Sequence, residues 1–110
     1  MPGDNLFTPN TQATVSITCS NTTGNVALGS TLGGAKAIRV KNIDTTYVAY
    51  INFGNSSSVT ATVPSGATPG SIPIGPGEVA GFSLGTATTY VAAICTAGTP
   101  ILYFTPGNGI

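Results

Sequence analysis

The chain has 110 residues and a mass of 10.9 kDa, room for one domain and too little for two. Only 5% of it is charged, and Lys36, Arg39 and Lys41 balance Asp4, Asp44 and Glu78 to a formal net charge of zero. Three basic residues cannot neutralise the phosphates of a nucleic-acid contact or form a polybasic membrane patch, and a chain without histidine lacks the commonest general base and metal ligand.

Eighteen threonines and nine isoleucines against one glutamate and one glutamine favour strands over solvent-facing helices, so the chain reads as all-β. Residues 1–12 carry two prolines and no periodicity and read as an extended N-terminal arm, with Leu6 and Phe7 its large apolar anchors after Met1. The opening has no basic n-region and no apolar h-region, which predicts folding in a cytosol, and no apolar run reaches the length of a membrane span.

From Ala13 the alternation begins. Val15, Ile17 and Cys19 share one parity and Thr14, Ser16 and Thr18 the other, which predicts a half-buried strand. A weak apolar piece follows at Val26–Leu28, then a glycine-rich loop over 29–34. Residues 36–43 form the next strand, with Ile38 and Val40 turned in and Arg39 and Lys41 turned out. After a turn at Asp44 and Thr45 come strands over 46–53 and, by the alternation of Val59, Ala61 and Val63, over 58–63.

Residues 64–74 hold three prolines and read as a long surface loop with a short edge pairing at Ile72–Ile74. Strands over 78–84, 88–95 and 100–105 complete the domain, the last two as a hairpin around Ala97 and Gly98, and 106–110 is a tail. About eight short strands with regular turn signals predict a single-domain β-sandwich or jelly roll over residues 13–105.

Two strands are apolar on both parities. Val48 and Tyr50 oppose Tyr47, Ala49, Ile51 and Phe53, and Ile101–Phe104 is large and apolar throughout. A sandwich strand has one solvent face, so the second face is covered by loops, by the arm or by another subunit. With so little charge, self-association as a homodimer or homotrimer is expected, with Tyr50, Leu102 and Phe104 as its candidate residues.

Motif matches fail on context. Residues 29–36, GSTLGGAK, miss the phosphate-loop pattern because Ala35 intrudes and Ala37 follows the lysine. Residues 75–80, GPGEVA, open a strand rather than a helix and read as a turn. Two cysteines, Cys19 and Cys95, cannot make a four-ligand zinc site without histidine, and buried free thiols are the leading expectation over a disulfide. Nothing brings Asp44 and Glu78 together as a glycosidase pair. No catalytic, cofactor-binding or metal residue is assigned, and no enzyme activity or small-molecule substrate is expected.

The run Ser71–Leu84, SIPIGPGEVAGFSL, followed by Thr89–Gly109, TYVAAICTAGTPILYFTPGNG, resembles the C-terminal half of small virion proteins of tailed bacteriophages, in particular the β-sandwich cement proteins of short-tailed phages. The likeness spans residues 36–109 in pattern and is specific mainly after Ser71. It implies a capsid decoration protein on the virion exterior, made in the host cytoplasm, whose partners are the major capsid protein and itself. Such a protein clamps neighbouring capsid subunits without catalysis. From the arm and the clustered charge, the expected capsid contacts are Leu6, Phe7, Lys36, Arg39 and Lys41. Other readings are a tail, adaptor or head-fibre component, or a carbohydrate-binding sandwich using Tyr47, Tyr50, Tyr90 or Tyr103 as stacking platforms.

Overall fold

Alternating apolar and polar residues give each strand one face to bury, and the fold pairs those faces across two sheets. The computed structural model describes residues 8–9, 12–28, 37–84 and 88–108, which form nine strands. They are β1 (Thr8–Pro9), β2 (Val15–Thr18), β3 (Gly24–Ala27), β4 (Ala37–Asn42), β5 (Ala49–Gly54), β6 (Ile72–Ile74), β7 (Val79–Ser83), β8 (Tyr90–Ile94) and β9 (Ile101–Asn108). Leu6, Phe7 and Lys36, together with the glycine-rich loop of 29–34, lie outside the described residues.

The chain is an all-β sandwich. One antiparallel sheet runs β1-β9-β4-β7, with β2 also pairing β9, and the other runs β3-β8-β5-β6. Strand β9 is central to the first sheet. Its start pairs β2 (Ile17↔Leu102), its end pairs β1 (Pro9↔Gly107), and its other side pairs β4 from Ala37↔Gly107 to Asn42↔Leu102. Ile17, Ile38, Val40, Leu102 and Phe104 from this sheet meet Ala49, Ile51, Ile74, Val91 and Ala93 from the other to form the core. Phe53 and Phe82 close it near one flank, edge to face across the two sheets with ring centroids 5.5 Å apart.

The alternation placed these faces as expected. Ile38 and Val40 are fully buried, while Arg39 and Lys41 are exposed. The predicted arm and tail are shorter than expected, since residues 106–108 continue β9 and pair with β4 and with Thr8–Pro9. Three further expectations are corrected. Leu102 and Phe104, read as self-association residues, are wholly buried in the chain's own core and offer no surface to a second copy. Residues 88–95 and 100–105 do not form a hairpin, because β8 and β9 belong to different sheets. The Cys95 N–H donates to the Ser20 carbonyl and the Cys19 N–H to the Pro100 carbonyl, so the two corners between sheets satisfy one another. Gly98 turns this corner at φ 70°, and a Cβ there would overlap the Tyr47 ring packed on it.

The third correction concerns residues 58–63, which alternate in burial but join no ladder. The Ala61 N–H donates to Thr23 Oγ1 at 2.8 Å and the Thr62 N–H to Ser71 Oγ at 2.9 Å, so side chains satisfy the backbone where a strand partner was expected. Ala61 is buried all the same.

The sheets are latched at one end by Asn42, the buried polar residue of β4. Its Nδ2 donates to the Tyr47 and Ile74 carbonyls at 3.0 and 3.1 Å, and its Oδ1 accepts the Asp44 N–H at 2.9 Å. One side chain thus ties a strand of the first sheet to the connections entering and leaving the second, and every polar atom it buries is paired.

Candidate docking face

Register gathers on the outer face of the five-stranded sheet residues that lie far apart in sequence. Lys41 on β4 sits between Tyr103 on β9 and Val79 on β7, and Ser16 on β2 extends the same row beyond Tyr103. The next row runs Thr105, Arg39 and Gly81, with Thr14 Oγ1 and Thr105 Oγ1 hydrogen-bonded at 2.9 Å. Ile43 continues the parity of Arg39 and Lys41 past the strand end, its N–H bonded to the Ile101 carbonyl at 3.1 Å. Val79, Ile43 and Tyr103 are 48%, 42% and 40% exposed, which makes this face apolar and open as well as basic. Neighbouring strands lie about 4.8 Å apart, so the Tyr103–Lys41–Val79 row is about 10 Å wide.

Both described acidic side chains are occupied in turns. Asp44 Oδ2 accepts the Thr46 and Tyr47 N–H groups at 2.8 and 2.7 Å, and Glu78 Oε1 accepts the Gly75 N–H at 2.7 Å. They shape the loop that leaves β4 and the loop that enters β7, at the same end of the pair. The parity of β4 and β7 puts only the basic pair among their charged residues on the outer face.

The outer face of the four-stranded sheet differs. Asn25, Ala92 and Asn52 form a row across β3, β8 and β5. The Asn25 amide donates to the Ser57 carbonyl at 2.9 Å and the Asn52 amide to the Thr60 carbonyl at 3.0 Å. Residues 57–61 are thereby drawn over the sheet, and Ala92 beneath them is fully buried. The chain's own loop covers this part of the second apolar face. Tyr50, paired with Ile94 and Pro73, is half-buried beside it.

The structure therefore brings Arg39 and Lys41 together on one face. The sequence did not place Tyr103, Val79 and Ile43 beside them; Tyr103, named only as a stacking platform, was signalled by its parity opposite Leu102 and Phe104. The four tyrosines proposed as stacking platforms are dispersed. Tyr50 and Tyr90 are half-buried on one sheet, Tyr103 lies on the other, and Tyr47 packs on Gly98 at a corner.

Cys19 and Cys95 are buried free thiols. Burial, with the neighbouring Cys95 adding to it, pushes the Cys19 thiol up to about 12. Burial also raises Cys95, whose Sγ donates weakly to the Gly98 carbonyl at 3.5 Å. Thiols held protonated are poor nucleophiles and poor metal ligands. Among the described residues, no group of three or more Cys, Asp or Glu side chains could hold a metal ion, and no helix is long and apolar enough to cross a membrane.

No protein-family model matches the chain, and no curated protein is significantly similar to it.

Proposed function

We propose that the protein is a non-enzymatic virion component that binds the outside of an assembled phage capsid and stabilises it by clamping neighbouring major capsid subunits. The observation that carries the docking part of this reading is the open outer face of the five-stranded sheet, where Tyr103, Val79 and Ile43 surround Lys41 beside Arg39. The likeness of Ser71–Leu84 and Thr89–Gly109 to phage cement proteins supports the choice of partner. An aromatic and aliphatic centre with basic residues beside it suits a protein surface carrying acidic groups. A ligand that binds the assembled shell and not its separated subunits stabilises the shell by mass action, and many copies multiply a small gain per site.

The test is densitometry with mass spectrometry on purified particles, carried out for the unaltered protein and for Lys41→Glu and Tyr103→Asp. The expected result is a copy number near that of the major capsid protein, with occupancy reduced at least about tenfold in each variant, the loss of roughly 1.4 kcal/mol or more of binding. A few copies per particle would assign the chain to a tail, adaptor or unique vertex, and absence from particles would overturn the capsid reading. Full occupancy of both variants would remove this face from it.

A further inference from the structure

Strand β7 is where the five-stranded sheet stops. It pairs with β4, and among the described residues nothing pairs with its other side. The Asn42 N–H donates to the Glu78 carbonyl at 3.0 Å. Counting in twos from that bonded pair along the antiparallel register, the backbone groups of Ala80 and Phe82 turn to β4, and those of Val79, Gly81 and Ser83 turn outward. Such an edge is a template for another strand unless proline, charge or a bulge guards it. Pro9 stands in β1 and Pro73 in β6, whereas β7 reads VAGFS, without proline or charge like the edge strands β2 (VSIT) and β3 (GNVA), and is the longest of these three, in unbroken register over all five residues.

The segment is also complementary to itself. Antiparallel pairing centred on Gly81 sets that glycine opposite its own counterpart, Val79 opposite Ser83, and small Ala80 opposite large Phe82. All three outward residues of each copy then exchange backbone hydrogen bonds. The central glycines also keep like charges apart. Arg39 is the lateral neighbour of Gly81, so the two Arg39 positions stand three strand spacings apart, about 14 Å, beyond the Debye length of about 8 Å at physiological salt. On the same flank the second sheet ends in β6, whose Ile72 is 40% exposed. Joining the β7 edges sets one β6 edge on each side of the joint.

We propose that this edge is a homodimer interface, in which two copies pair β7 to β7, antiparallel about Gly81, and merge their five-stranded sheets into one continuous sheet. The inference concerns the free protein and does not rest on the capsid reading; light scattering tests one and particle composition the other. It has a consequence for that reading, because the merged sheet sets two basic, apolar faces side by side on one surface.

The experiment is light scattering and sedimentation of the full chain across micromolar concentrations, with Gly81→Lys and Gly81→Glu. Gly81 is exposed and its outward N–H makes no bond to β4, so the substitutions load the axis with like charge and keep the ladder's hydrogen bonds; beside Arg39 the lysine is unfavourable and the glutamate favourable within the chain, so a loss of dimer shared by both reports the axis. The expected result is twice the chain mass for the unaltered protein, a dissociation constant raised at least about tenfold in each variant, unchanged far-ultraviolet dichroism, and recovery of the double mass when the two variants are mixed. Chain mass at every concentration, three-copy mass, or a dimer indifferent to both variants would overturn the proposal. Should Gly81 variants fail to fold, Ser83→Lys sets a charge opposite Val79 and is read in the same way.

Discussion

The two sheets bury the same kind of inner face and finish their outer faces in opposite ways. Over the four-stranded sheet, Asn25 and Asn52 hold residues 57–60 down by their carbonyls, and Ala92 beneath is sealed. Over the five-stranded sheet, Tyr103, Val79 and Ile43 stay open around Lys41. Apolar residues on a strand's second face therefore have two separate meanings within one small chain. In β5 and β8 they lie under an intramolecular cover, and in β9 they leave the open surface that we propose for a partner. The difference lies in polar residues able to fasten a loop: an asparagine pair flanks Ala92, whereas lysine and serine flank Tyr103.

The contrast is sharpest between adjacent residues of β9. Phe104→Ala empties the shared core and is expected to cost about 3–5 kcal/mol, a large part of the stability of a domain this size, whereas Tyr103→Ala on the open face is expected to stay within about 0.5 kcal/mol. Urea unfolding of both variants measures this, and equal losses would mean that Tyr103 is structural.

Alkali tests the layer between the faces. Cys19 moves from an ordinary 9.0 to about 12 in the fold, so the folded state holds its proton where the unfolded chain releases it. Its contribution is full below pH 9.0 and is lost as pH rises from 9.0 toward about 12, on the order of 1 kcal/mol per pH unit. Unfolding free energies at stepped alkaline pH are expected to fall more steeply for the unaltered chain than for Cys19→Ala, and parallel slopes would refute the assignment.

A milder change opens the covered face. Asn25→Ala with Asn52→Ala removes both fastenings, at a cost of about 1–2 kcal/mol for two exposed hydrogen bonds. Proteolysis within 55–71 is expected to accelerate while the sandwich remains folded. Unchanged cleavage would mean that the loop is held by its bonds to Thr23 and to the Ser71 hydroxyl and N–H.

Much of this fold was legible because alternation is local. Residues such as Ile38, Val40, Arg39 and Lys41 declare their faces within six positions, and Pro73 declared a short edge strand. Pairing was not legible. Residues 58–63 alternate because one side meets Thr23 and the sheet, although no strand lies beside them, and the four-residue link after Cys95 suits a hairpin as well as it suits the corner it makes. The candidate face needs the registers of β4 with β7 and β9, long-range facts that no short window holds; only its basic half was visible. Asn42 was signalled solely by being polar on the parity of Ile38 and Val40.

Strand β9 also governs when the molecule can exist at all. Among the described strands it comes last in sequence yet lies between β4 and the β1–β2 edge, so during synthesis the first sheet has no centre until β9 has been made. The second sheet is complete in sequence seven residues earlier, at Ile94. Until Ile101–Asn108 pairs with β4 and β2, the inner faces of those strands stay bare, apolar surface that a chaperone can occupy, and a chain cut before Ile101 lacks its central strand.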